Sequence, residues 1–324
     1  MKTSSDKAGA DVAGAETASA AAARCGQLSR LRNAVLARFS SVPDGQRDIA
    51  TAVPWLTLIR IAAPTPAGRG MLQPSACLLL QGAKQMLIGA EVVEYGPGDY
   101  VLTAVEMPVA GQVTAATRQV PYLGVRIDFD AREVAAFILE MQIAAPPPQD
   151  LPATYVEHAD GGLLDVFERL LALLDKPRDV AVLSRLLKQE LFYHLLMAPG
   201  GAALNTAVRG GGKEKAIGEA IMWIREHFDQ PLRIEALAKA VRMSTSVLHR
   251  RFKAMTVMSP LQYQKHVRLL EARKLLMAGG VEAATVAYQV GYESPSQFSR
   301  EYRRLFGASP LQDAEQLRHA VVEP

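Results

Sequence analysis

The chain has 324 residues, 49% of them apolar, with a net charge of +3 and only two cysteines. This length supports two domains with cores of their own. The cysteine count excludes a disulfide framework, and no run of eighteen apolar residues exists to cross a membrane, so a protein of the reducing cytoplasm is expected.

Residues 1–26 are rich in Ala, Ser, Gly, Asp and Lys, with Val12 as their one large aliphatic anchor, and read as a disordered tail. No continuous apolar core follows the basic residue, so the segment is not a signal peptide. A domain is expected from 27 to 197. Within it, residues 55–61 (WLTLIRI), 75–81 (SACLLLQ), 84–88 (KQMLI) and 122–129 (YLGVRIDF) are short strand-like runs. Turn signals separate them at Pro64–Pro66, Gln81–Gly82, Gly89 and Gly96–Asp99. Many short strands at this spacing predict a barrel or sandwich at about 47–130, of a size that can hold one small ligand.

Three residues stand out as candidate effector contacts. Cys77 interrupts an apolar strand, either as a small hydrophobe or as a thiol sensor, for instance towards an aldehyde. Arg60 and Arg126 are charges inside strand patterns that either meet an anionic ligand or face solvent. Trp55 reads as core.

Two leucine-rich stripes follow, at 163–174 and 182–196, with 3.6-residue periodicity. They either pair between subunits or pack onto the strands. Residues 198–212, opening with Ala198-Pro199-Gly200-Gly201 and closing with three glycines, predict a flexible linker. A helix over 213–228 then opens a second domain that runs to 324.

Inside that domain the chain repeats itself. Leu237-Ala238, Val241, Met243-Ser244, Leu248, Phe252 and Ser259-Pro260 return as Val286-Ala287, Val290-Gly291-Tyr292, Ser294, Phe298, Tyr302 and Ser309-Pro310. The offset is 49 residues as far as Tyr292 and 50 from Phe298 onward, so one residue is inserted in a turn. Each copy encodes a short apolar helix, a turn, a serine N-cap and a second helix with core residues four apart, which is a helix-turn-helix. The joining segment, Pro260 to about Ala278, has Pro at its start and Gly279-Gly280 at its end. Nineteen helical residues span roughly 28 Å, near the ~34 Å between successive major-groove faces of B-DNA.

Charge points the same way. Residues 1–212 hold 19 basic and 21 acidic side chains, whereas between 242 and 274 eight basic residues oppose the single acid Glu271. Helix geometry turns Leu248 and Phe252 inward, leaving Ser246, His249 and Arg250 to read bases. In the second copy Phe298 and Tyr302 turn inward, leaving Ser296, Ser299 and Arg300. An arginine fork matches guanine O6 and N7, whereas Arg251, Lys253, Arg303 and Arg304 are placed for phosphate.

These motifs, with Arg268, Ala272 and Leu275-Leu276 of the joining helix and Phe306-Gly307, resemble the AraC/XylS family of bacterial transcription regulators over about 213–311. The resemblance implies two helix-turn-helix units in one chain, promoter DNA and RNA polymerase as partners, and a homodimer. Two departures stand out. Val257 replaces the family's usual glycine at the end of the first reading helix, a costly residue for a left-handed cap, so that helix end is expected to be built differently. Asp313-Ala314 replaces an aromatic-arginine pair after Pro310, which puts the last helix in question. Leu80–Gly82, Glu94–Asp99 and Pro108–Gly111 resemble the cupin-like N-terminal domain of a subgroup of these regulators. Cupin enzymes hold metal through histidine, and this region has none, the first in the chain being His158. No metal, cofactor or catalytic residue is therefore expected. The sequence reads as an α+β protein: a cupin-like barrel with flanking helices for a small-molecule effector or for dimerisation, then an all-α double helix-turn-helix domain. A cupin-type enzyme fused to a DNA-binding domain and a ligand-independent regulator are the competing readings.

Overall fold

The computed structural model describes residues 5–40, 42–43, 46–88, 91–144, 152–209 and 213–322. It opens with a helix, α1 (Ser5–Phe39), so the tail expected to be disordered over 1–26 is helical from Ser5. The alanine that made this stretch look featureless is also the strongest helix former. The last turns of α1 bury Leu31, Val35 and Phe39.

Two antiparallel sheets follow. The larger has the order β1 (Asp48–Ala50), β2 (Leu56–Ile61), β9 (Tyr122–Asp128), β4 (Ser75–Gln81), β7 (Asp99–Thr103) and β10 (Thr154–His158). The smaller has the order β3 (Gly68–Leu72), β8 (Met107–Ala115), β5 (Ala83–Ile88) and β6 (Glu91–Tyr95). The chain crosses between sheets at Gly82, whose φ is +88°. A Cβ there would lie 2.6 Å from the Ala115 carbonyl oxygen, so only glycine makes this turn.

Strand β4 shows why alternation was hard to read. Ala76, Leu78 and Leu80 face the helices, where they join Leu31, Phe167 and Leu170 in the main core. Leu79, on the other face, packs between the sheets with Met86, Val101, Val113 and Tyr122. A strand buried on both faces is apolar throughout.

The helices covering the larger sheet are α2 (Ala131–Glu140), α3 (Gly161–Leu173), α4 (Val180–Met197) and α5 (Gly201–Arg209). Asp130 and Glu133 form a capping box on α2, and Asp160 caps α3 through the Leu163 amide at 2.7 Å. Helix α3 is buried along its stripe, whereas α4 buries Leu187, Leu191, Leu195 and Leu196 and leaves Val182, Leu183, Leu186, Tyr193 and Met197 exposed. Helix α5 replaces part of the linker expected over 198–212: Ala202, Ala203, Leu204 and Ala207 give residues 201–209 an apolar face, which is buried. Pro199 and Gly200 end α4 without beginning a coil; residues 210–212 lie outside the described residues.

The C-terminal half is helical: α6 (Lys213–Glu226), α7 (Ile234–Ala240), α8 (Thr245–Thr256), α9 (Pro260–Ala278), α10 (Ala283–Gln289), α11 (Pro295–Phe306) and α12 (Pro310–Val322). Leu237, Leu248, Phe252 and Tyr263 belong to the same continuous core as the strands, while Val286, Val290, Phe298 and Tyr302 form a separate one. The last helix, in question from the sequence, is present. Asp313 replaces the aromatic-arginine pair by a different bond set: it accepts from Arg273 at 2.7 and 2.8 Å and from the Tyr302 hydroxyl at 2.7 Å.

Candidate nucleic-acid interface

Both repeats fold through the same backbone bonds. In the first, the Val241 amide donates to Leu237 and the Met243 amide to Ala238, at 3.1 and 2.8 Å. In the second, Val290 donates to Val286 and Tyr292 to Ala287, at 3.0 and 2.9 Å. Ser244 and Ser294 then cap α8 and α11 through the amides of Val247 and Gln297. Each second helix ends on a left-handed residue, Val257 or Gly307, whose amide returns to Lys253 or Arg303 at 2.8 Å. The valine therefore adopts the glycine conformation after all, and the helix end is not built differently. The hydroxyl of Thr256 ties it down, donating to Phe252 O at 2.7 Å and accepting from the Met258 amide at 3.3 Å.

With the apolar faces of α8 and α11 turned inward, Ser246, His249, Arg250, Ser296 and Arg300 are exposed, while Ser299 is half-buried. Lys253, Arg303 and Arg304 are exposed too. Arg251 differs from its expected place beside phosphate: it is half-buried, with its Nε enclosed by protein. Among the described residues no ion pair occupies Arg250, Lys253, Arg300, Arg303 or Arg304, so these cations remain available to an anionic partner.

The supporting residues were mostly not legible as such. Arg268, on α9, donates to three carbonyls: Phe228 at 2.5 Å, Gln230 at 2.8 Å and Gly291 at 2.8 Å. It thereby ties the end of α6 to the turn of the second unit. Glu301 accepts from Lys265 and from the Tyr292 hydroxyl, both at 2.8 Å. Burial raises the Glu301 pKa, but these bonds and one from Gln297 outweigh it and hold the carboxyl below its ordinary range. Burial keeps the Tyr292 and Tyr302 hydroxyls far above the tyrosine range, so both serve as donors. A polar residue on the inner side of a reading helix, such as Glu301 three after Phe298, was the signal available in the sequence.

The first unit is also bonded to the strand domain. Tyr263 donates its hydroxyl to Glu106 O at 2.9 Å, and Arg225 pairs with the buried Glu106 carboxylate. The Ala153 amide donates to Met255 O, at the end of α8, at 2.9 Å. A cavity of about 240 Å³ lies along this junction, lined by Arg69, Pro108, Val257, Gln262, His266 and Leu305 among others.

Of the three effector candidates, the strands bring two together. Cys77 and Arg126 are register partners on the face between the sheets. Arg60 pairs with Leu123 on the opposite face and lies 6.0 Å from the Phe39 ring, so it does not join them. The strand pattern did not reveal which face was which, because both are apolar. Among the described residues no group of three or more His, Cys, Asp or Glu side chains could hold a metal ion, and no helix is long and apolar enough to cross a membrane.

Comparison with known proteins decides what these two halves are. The family model for the AraC-type transcriptional regulator N-terminus matches residues 52–203, and a helix-turn-helix domain model matches residues 237–316. The chain belongs to the AraC/XylS family of transcriptional regulators. Its AraC-family relatives include RhaS, an HTH-type transcriptional activator, of Salmonella schwarzengrund and Salmonella typhimurium. Each is 27% identical over 179 residues, which cover 54% of this chain and 63% of the relative, so the match spans less than two thirds of the relatives' length. Among solved structures, a variant of apo ToxT from Vibrio cholerae is 10% identical, covers 81% of this chain and 97% of its own, and has a TM-score of 0.51, a likeness of fold. The DNA-binding domain of AdpA, solved in complex with a target DNA, is 29% identical, covers 34% of this chain and 98% of its own, and has a TM-score of 0.32.

Proposed function

We propose that this AraC-family chain regulates transcription by docking α8 and α11 in successive major grooves on one side of promoter DNA. One observation carries the reading: two helix-turn-helix units with the same turn bonds, joined by the 19-residue α9, which is about 28 Å long, each present an outward arginine. Arg250 and Arg300, with Ser246, His249, Ser296 and Ser299, read base edges; Lys253, Arg303, Arg304 and, in part, Arg251 hold phosphates. The relatives' description as transcriptional activators supports activation, with RNA polymerase as the eventual partner. A small-molecule effector in the N-terminal domain biases domain geometry through the Glu106–Arg225 and Ala153–Met255 contacts. It acts only by its differential affinity for two arrangements.

Homodimerisation runs through α4. Four of its five exposed apolar positions, Val182, Leu186, Tyr193 and Met197, are symmetric about the 189–190 bond, and Leu183 stands outside the pattern. Two antiparallel copies would set Val182 against Met197 and Leu186 against Tyr193 about a two-fold axis. Selection of genomic fragments by the purified full chain tests the central reading. Fragments sharing a motif are expected; binding without enrichment would overturn sequence-specific regulation. Leu186→Asp should convert a dimer to a monomer in sedimentation.

A further inference from the structure

The second reading helix carries an acid. Glu301 lies on α11, one turn after Gln297, and its side chain is 16% exposed. A carboxylate on a helix that approaches DNA repels phosphate. This one is neutralised by Lys265 of α9, whose Nζ lies 2.8 Å from Oε1, while the Tyr292 hydroxyl donates to Oε2 at 2.8 Å. Groups outside α11 thus fix both carboxylate oxygens.

The same Oε1 accepts from Gln297 Nε2 at 3.4 Å. An ionised carboxylate accepts hydrogen bonds and donates none, so only the NH2 end of the Gln297 amide can face it. At this length the bond supplies direction more than strength. The second Nε2 hydrogen and the Oε1 of Gln297 have no partner among the described residues. They form a donor and an acceptor side by side.

Helix geometry turns that pair outward, beside Arg300. Phe298 and Tyr302 mark the inward direction, and Arg300 stands opposite it. Ser296 and Gln297 lie about 140° and about 120° from the inward direction, on either side of Arg300, whereas Ser299 lies only about 80° away. Exposure agrees, since Gln297 is exposed and Ser299 half-buried. The first unit has no counterpart: the offset between the copies places Val247 and Arg251 where Gln297 and Glu301 stand.

We infer that Gln297 reads an adenine in the groove that α11 enters, with Glu301 as the residue that positions its amide. The inference rests on the DNA-reading function above and adds one base contact to it. Adenine presents N7 as acceptor and N6–H as donor on its major-groove edge, which a glutamine amide matches with Nε2–H and Oε1. Gln297 precedes Arg300 by three residues, about 4.5 Å along the helix axis, and one base step is about 3.4 Å. The adenine therefore lies one or two base pairs from the base that Arg300 reads.

The test is base-preference profiling of the full chain, wild type beside Gln297→Ala, Glu301→Gln and Arg300→Ala. Gln297 is exposed, so Gln297→Ala leaves the fold intact; it should lose about tenfold or more of the preference for A·T at one position and no other. In Glu301→Gln the new amide can face Gln297 by either end, so the same preference should fall about threefold. Binding to non-specific DNA should rise in that variant, because a negative charge beside the phosphates is gone. Equal weakening of Glu301→Gln on all sequences would reduce Glu301 to a structural role and overturn its part. An unchanged or uniformly weakened profile for Gln297→Ala, or loss at a base pair other than A·T, would overturn the adenine contact. Arg300→Ala relaxing its own base in the same experiment would then leave the DNA-reading function standing. If the wild type shows no base preference, that function falls and the inference falls with it.

Discussion

The two helix-turn-helix units share one pattern and one set of backbone bonds, yet they are stabilised differently. Both need a left-handed residue in the turn and another after the reading helix. The second unit places glycine at each, Gly291 and Gly307, while the first places Arg242 and Val257. The second unit has a core of its own and is tied to its surroundings by Arg268. The first shares its core with the strand domain and is bonded to it through Tyr263, Arg225 and Met255. Val257 lines the junction cavity with Arg69 and Pro108 of the strand domain, so a side chain that is unfavourable for the cap forms part of the wall at the domain boundary. The first unit is bonded to the N-terminal domain through Tyr263, Arg225 and Met255, whereas the second reaches it through Arg273, which donates to Arg69 O at 3.4 Å, and through Leu305 at the junction cavity.

Exchanging the turn residues should show the contrast most strongly. At Gly291 a Cβ would sit 2.0 Å from the Asp229 carbonyl oxygen, at a φ of +86°. Gly291→Ala should therefore cost about 4 kcal/mol in urea unfolding. Arg242→Gly, at the matching exposed position, should change stability by less than about 1 kcal/mol. Comparable losses at both sites would erase the distinction. Next comes Arg268→Ala, which leaves three carbonyls without their charged donor and should cost about 2–3 kcal/mol.

The helix caps sharpen the comparison further. Nothing lies within 4 Å of a Cβ built on Gly307, so Gly307→Val should cost only the conformational term, about 1–2 kcal/mol. Val257→Gly removes that same term but also the side chain's share of the junction wall, and should come out near zero. A clear gain would mean that the valine contributes nothing to docking.

The smallest effect is a pH dependence at the junction that α9 shares with the strands and α11. Burial lowers the His266 pKa below its ordinary 6.5, aided by Arg69, Lys265 and Arg304 and opposed by the bond to Gln262 O. The folded chain binds this proton less readily than the unfolded one, so the contribution is complete above that value and is lost as pH falls below it. The unfolding midpoint should drop between about pH 7.5 and pH 5.5, and His266→Gln should lessen the drop. An unchanged drop would assign it to other groups.

How much of this could be read from the sequence varied with distance along the chain. Local signals were strong: serine caps, Pro260 before α9 and residues four apart fixed both repeats, because each rests on neighbours within one or two turns. Long-range bonding was not. Asp313 looked like a lost motif until Arg273, forty residues away, supplied its partner. Arg60 and Arg126 looked alike, since strands buried on both faces give no phase. Alanine misled twice, at the helical N-terminus and in α5, where a composition without bulk read as coil.

The most direct test of two-groove reading is base-preference profiling of the full chain beside Arg250→Ala and Arg300→Ala. Each variant should lose about 1–3 kcal/mol on specific DNA and relax preference at one or two bases, the two positions lying about 10 base pairs apart. Uniform weakening on every sequence, or loss of the same base by both variants, would contradict two reading helices in successive grooves.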